Sequence, residues 1–60
     1  MSAIEKTIYK GMLDAGWPRD DANYMMRIIK ANDGASSANL DPNEVNVKCK
    51  NGTYANLMKG

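Results

Sequence analysis

The chain has 60 residues, with eight basic and seven acidic side chains, one cysteine and no histidine, for a formal net charge of +1. That inventory rules out an internal disulfide and a thiolate–imidazole zinc site. It also has neither the acidity of a DNA mimic nor the basicity of a non-specific nucleic-acid binder. At this length only roughly 60% of the unfolded surface can be buried, and with no metal or disulfide, self-association is the staple that remains. A lone free cysteine suits a reducing compartment. No run approaches the ~18 apolar residues of a membrane span, and Met1-Ser2-Ala3-Ile4-Glu5-Lys6 lacks the basic start and apolar run of a signal peptide. The expectation is a cytoplasmic protein away from membranes, so the glycosylation tripeptide Asn51-Gly52-Thr53 is discounted.

In chain order, the first element is a helix over about 3–15. Ile4, Ile8 and Met12 recur every fourth residue with Ala15 on the same side, and Tyr9 and Leu13 widen the apolar face. Ser2 is its N-cap, Glu5 completes a capping box, and Gly16 supplies a left-handed stop. A second helix follows over about 18–31. Pro18 opens it, because proline's missing N–H costs nothing at a first helical position. Asp20 and Asp21 favour the positive end of the helix dipole, and Asn32-Asp33-Gly34 ends it. Ala22, Tyr24, Met25, Met26, Ile28 and Ile29 cover roughly 200° of this helix at about 100° per residue. So broad an apolar face suggests burial on two sides. Either helix 2 lies between helix 1 and the C-terminal segment, or Tyr24, Met25 and Ile28 meet another copy of the chain. The second reading is favoured for a chain this small.

Residues 32–40 read as a loop, and 44–58 as a disputed hairpin. Asp41, Pro42 and Glu44 form a complete helix start, with Leu40 and Val45 as a hydrophobic staple. The following Val-Asn-Val-Lys-Cys-Lys is poor helix material and suits a pleated surface instead. The expectation is one helical turn at 41–44, then a hairpin closed by a two-residue Asn51-Gly52 turn. That register sets Lys50 opposite Thr53, Cys49 opposite Tyr54, Lys48 opposite Ala55, Val47 opposite Asn56 and Val45 opposite Met58. Tyr54 and Met58 then join Val45, Val47 and Cys49 on the inner face, with Asn56 a polar intruder, while Asn46, Lys48, Lys50 and Thr53 face out. The fold class predicted is α+β, a helical hairpin followed by a β-hairpin in one small oligomeric domain. The alternative is an all-α chain of three or four short helices.

Catalysis finds little support. Without histidine, acid–base work falls to a tuned carboxylate, a tuned lysine or Cys49, and Cys49 reads as a small core residue with Lys48 and Lys50 on the opposite face. Asp33 to Glu44 has the length of an EF-hand loop, but Ala35 stands at a ligand position and Ala38 where the turn requires glycine. No metal or cofactor is expected. What remains is a non-catalytic binding protein, of the kind of a compact inhibitor, an antitoxin-like factor or a phage-type accessory protein, acting by protein–protein association or ligand sequestration. Lys48, Lys50, Asn51 and Tyr54 could hold a small anionic ligand at a subunit boundary. The competing reading is a helix-turn-helix-like DNA or RNA regulator using Arg19, Asn23, Arg27 and Lys30 along helix 2.

Overall fold

The computed structural model describes residues 2–59. Ser2 caps the first helix, α1 (Ala3–Asp14): its Oγ accepts from the Glu5 N–H at 3.3 Å and donates to Glu5 Oε2 at 3.0 Å. The helix ends in a Schellman turn. Gly16, at φ +94°, donates to the Leu13 carbonyl, and Trp17 donates to the Met12 carbonyl. Pro18, expected as the first residue of the second helix, is instead its extended N-cap at ψ 149°. Helix α2 (Arg19–Ala31) then has Asp20 and Asp21 in its first turn and is followed by Asn32 and the left-handed Asp33 at φ +70°. Three strands follow: β1 (Ala35–Leu40), β2 (Glu44–Cys49) and β3 (Tyr54–Met58), forming an antiparallel sheet in the order β1-β2-β3. The protein is therefore a small α+β domain, two helices followed by a sheet, as the patterning of its elements predicts.

The helices lie on one face of the sheet, α1 against β1 and α2 against β3. Between them sits a single core of Ile8 and Met12 from α1, Ala22, Met25, Met26 and Ile29 from α2, and Ala35, Val45, Val47, Cys49 and Ala55 from the sheet. Each large aliphatic side chain buried there contributes roughly 1.5–3 kcal/mol. Gly11, costly in a helix interior by about 1 kcal/mol relative to alanine, lies against Leu40 of β1, whose Cδ1 would have to move aside for a Cβ there.

Three further expectations change. Residues 35–40, expected as loop, form strand β1, although only Ala35 is fully buried and the segment has no apolar alternation. In Asp41–Glu44, expected as a helical turn, residues 41–43 instead link β1 to β2 and Glu44 begins β2, with the Asp41 N–H donating to the Glu44 carbonyl at 2.9 Å. An aspartate followed by proline opens a turn as readily as it opens a helix, and here the pair reverses the chain between two strands. The β2–β3 register is shifted by one: Lys48 faces Tyr54, Val47 faces Ala55, Asn46 faces Asn56, Val45 faces Leu57 and Glu44 faces Met58. The loop is Lys50-Asn51-Gly52, closed by Cys49 N–H to the Thr53 carbonyl at 2.8 Å with Gly52 at φ +91°, a three-residue connection rather than a two-residue one. A one-residue slip reverses every side chain. Ala55 and Leu57 therefore point inward, and Tyr54, Asn56 and Met58 point out.

Trp17 ties the layers together. Its ring is buried in the connector between the helices, and its Nε1–H donates to the Asp41 carbonyl at 2.9 Å. Trp17→Ala is expected to cost about 3–5 kcal/mol, the usual range for truncating a buried aromatic. Trp17→Phe should cost less, with about 1 kcal/mol of it from the lost hydrogen bond. Chemical denaturation of both variants checks the order. Asp33→Gly should raise stability by roughly 0.5–1 kcal/mol, because glycine takes the left-handed conformation without the Cβ penalty; a midpoint unchanged or lowered would contradict that account.

Candidate functional site

The register that buries Val45, Val47, Ala55 and Leu57 against the helices leaves the other sheet face bare among the described residues. Two cross-strand rows run over it: Ser37, Lys48 and Tyr54, and beside them Asn39, Asn46 and Asn56. Ser37, Asn39, Lys48, Tyr54 and Asn56 are exposed, and Asn46 is half-buried in the central strand. A shallow depression of about 290 Å³ lies on this face, lined by Ser37, Ala38, Asn39, Asn46, Lys48 and Tyr54. Lys48 is the one charged side chain lining it. Glu44 stands on the same face four residues earlier in β2, roughly 13 Å along the strand at ~3.3 Å per residue, so the face is positive at one end and negative at the other.

The structure divides the four residues expected to bind an anion. Lys48 and Tyr54 come together as directly opposed residues, although the expected register put them on opposite faces. Lys50 and Asn51 are placed elsewhere. The stem of Lys50 and the carboxylate of Glu5 both flank Gly34. Asn51 is engaged at both ends of its amide: Nδ2 donates to Asn32 Oδ1 at 2.9 Å, and Oδ1 accepts from the Thr53 N–H at 3.0 Å. It pins the β2–β3 loop to the end of α2 and shapes the loop itself. Ser37 and Asn39 carry no site signal in the sequence, because Ala35–Leu40 lacks the alternation that marks a strand. Asn56 looked like a polar residue in a core, and its outward direction removes that anomaly.

On α2, Met25 is fully buried within its own chain, so it has no surface for another copy and its place in the expected oligomer interface is corrected. Tyr24 keeps 53% of its surface exposed, and Ile28 is half-buried. Asn23, Arg27 and Lys30 line a second open depression of about 420 Å³ around Met26. Arg19 is exposed but lies outside that lining. Cys49 is buried on the inner side of the sheet, away from both depressions. Among the described residues, no three His, Cys, Asp or Glu side chains gather where a metal ion could sit, and no helix is long and apolar enough to cross a membrane.

Compared with protein-family models, with curated proteins and with solved structures, the chain matches none. The site offers one cation, one exposed phenol ring, the Ser37 hydroxyl and a group of amides that can each donate and accept.

Asn51→Ala should lower stability by about 1 kcal/mol, the ordinary worth of such hydrogen bonds, while leaving any binding on the open sheet face unchanged. A thermal melt paired with a ligand titration separates this structural role from the binding role first expected of Asn51.

Proposed function

We propose that the protein is a non-catalytic binding protein that sequesters a small anionic ligand of nucleotide type on the open face of its sheet. The observation that supports this reading is the pairing of Lys48 with Tyr54 beside Asn46 and Asn39, in one depression on the sheet. A base stacks on the exposed ring of Tyr54, a sequence-tolerant contact worth about 1–3 kcal/mol by alanine substitution. Lys48 supplies a point charge to a phosphate. The Asn39 and Asn46 amides can meet either donors or acceptors on a base edge, and Ser37 adds a hydroxyl. The volume of about 290 Å³ is at the small end of ligand sites, which run ~300–1,000 Å³, so a mononucleotide or one unit of a longer strand fits better than an extended polymer.

A second reading, nucleic-acid binding through α2, draws support from Asn23, Arg27 and Lys30 around one depression. Asp20 and Asp21 oppose it, since they sit in the helix's first turn, where phosphates would approach. The two readings differ in salt dependence: a polymer contact through several phosphates weakens steeply as salt rises, whereas one lysine–phosphate contact weakens gently.

Isothermal titration against a panel of nucleoside mono-, di- and cyclic dinucleotides tests the proposal. Binding by at least one member is expected, weakened roughly 5- to 150-fold by Tyr54→Ala, as ~1–3 kcal/mol of stacking implies, and weakened also by Lys48→Gln. Absence of heat from every member would remove the nucleotide reading. Heat retained in the Tyr54 variant but lost in an Arg27→Ala, Lys30→Ala double variant would move the site to α2.

A further inference from the structure

The sheet ends at β3 in an open edge. The bonds from Cys49 N–H to the Thr53 carbonyl at 2.8 Å and from Lys59 N–H to the Asn43 carbonyl at 2.9 Å frame the β2–β3 ladder. Bonded and unbonded pairs alternate along an antiparallel ladder, so Ala55 and Leu57 carry the bonds to β2. The N–H and C=O groups of Tyr54, Asn56 and Met58 then point away from the sheet. The opposite edge, β1, is broken by a bulge at Ser36, one of the devices that blunt an edge against pairing. β3 has no such protection: its register is unbroken, and no proline or charged residue occurs from Asn51 to Met58.

We propose that a second copy of this chain occupies that edge, β3 antiparallel to β3 with Asn56 on the two-fold axis, joining two three-stranded sheets into one. The side-chain pattern selects this occupant. Tyr54 and Met58 point outward two residues to either side of Asn56, and among the described residues they are the most exposed large hydrophobic side chains, at 66% and 69%. Two-fold pairing about Asn56 sets each Tyr54 against Met58 of the partner subunit, and a thioether against an aromatic ring is a favourable contact. Charge agrees with this alignment: Lys59 falls opposite Thr53 of the partner subunit, and no like charges face each other. A foreign charged peptide would find no charge on β3 to select it.

The alignment also bears on the ligand site. Within one chain the depression is open beyond Tyr54; in the dimer, Met58 of the partner subunit stands beside that ring, and the row of asparagines continues across the axis. This part rests on the proposed function, but the pairing itself does not. A strand edge with Tyr54 and Met58 covers on the order of a few hundred Å² per chain, given the ~150–250 Å² an aromatic residue can bury. That is below the ~800 Å² per partner of a stable complex, so the dimer forms in a concentration-dependent way.

Sedimentation velocity of the full chain without ligand, over a rising concentration series, is expected to show monomer passing to twice the mass. Asn56→Pro removes an N–H that the single chain does not use, and edge strands tolerate proline; it should keep the monomer's circular dichroism and abolish the dimer. Asn56→Cys should be joined across the axis by a short bifunctional thiol cross-linker, because directly opposed hydrogen-bonded residues have Cα atoms ~5.5 Å apart. Asn39→Cys on β1 should not, and Cys49 is buried. A chain that stays monomeric at every concentration and does not cross-link through Asn56→Cys overturns the proposal, as does a dimer that survives Asn56→Pro. Nucleotide binding by a chain that fails both dimer tests would sink this inference and leave the proposed function standing; a dimer that binds no nucleotide would do the reverse.

Discussion

Much of this architecture depends on the position of one indole. Trp17 stands in the connector between the helices, yet it reaches the β1–β2 turn through its bond to the Asp41 carbonyl, and the end of β3 through Lys59, whose Nζ lies 5.2 Å from the ring centroid. The same Nζ is 3.5 Å from the Gly16 carbonyl. Segments far apart in sequence therefore converge on one buried side chain. The cation–ring contact is worth only about 0.5–1 kcal/mol at an exposed site. The burial of the ring itself is the larger effect, and it requires Gly16 in a left-handed conformation to turn the chain after α1. In a chain without disulfides, this convergence fixes the helix pair over the sheet.

The same two-layer arrangement explains the wide apolar face of α2. An exposed surface helix has only one neighbour and needs only a narrow stripe. Here α2 has both α1 and the sheet beside it, so Ala22, Met25, Met26 and Ile29 are all buried within a single chain. Methionine suits that role, because its unbranched thioether fills the irregular space between two unlike neighbours. Breadth of the apolar arc alone thus argues for a second neighbour without saying whether it belongs to the same chain. Of the residues in that apolar arc, Tyr24 alone is largely outside, at 53% exposure, while Ile28 is half-buried.

The helices were legible in the sequence because two independent signals agree for each: apolar residues at helical spacing, and end signals at Ser2, Gly16 and Pro18. β2 was legible from its alternation of Val45, Val47 and Cys49. β1 was not, because Ala-Ser-Ser-Ala-Asn-Leu owes its extended form to pairing with β2 rather than to any preference of its side chains. The register of β3 was hidden by a competition between turn signals. Asn-Gly is the strongest signal for a two-residue hairpin loop, yet it serves equally as the end of a three-residue loop when Asn51 can bond to both Asn32 and Thr53. Local sequence could not show that Asn32 would be within reach.

That single slip is what separates core from site. Had Tyr54 and Met58 pointed inward, the space beneath α2 would have had to hold a phenol and a thioether in addition to Met12, Met25 and Met26. A close-packed interior accepts such excess volume only with strain, typically about 1–3 kcal/mol for even modest overpacking. The smaller Ala55 lets β3 lie close to the helix layer, and Ala55 is accordingly buried. Packing therefore drives the two large side chains to the open face, where they join Lys48 and the asparagines. The candidate binding surface follows from the same volume constraint that settles the core: what does not fit between the layers stands where a ligand or a second sheet edge can meet it.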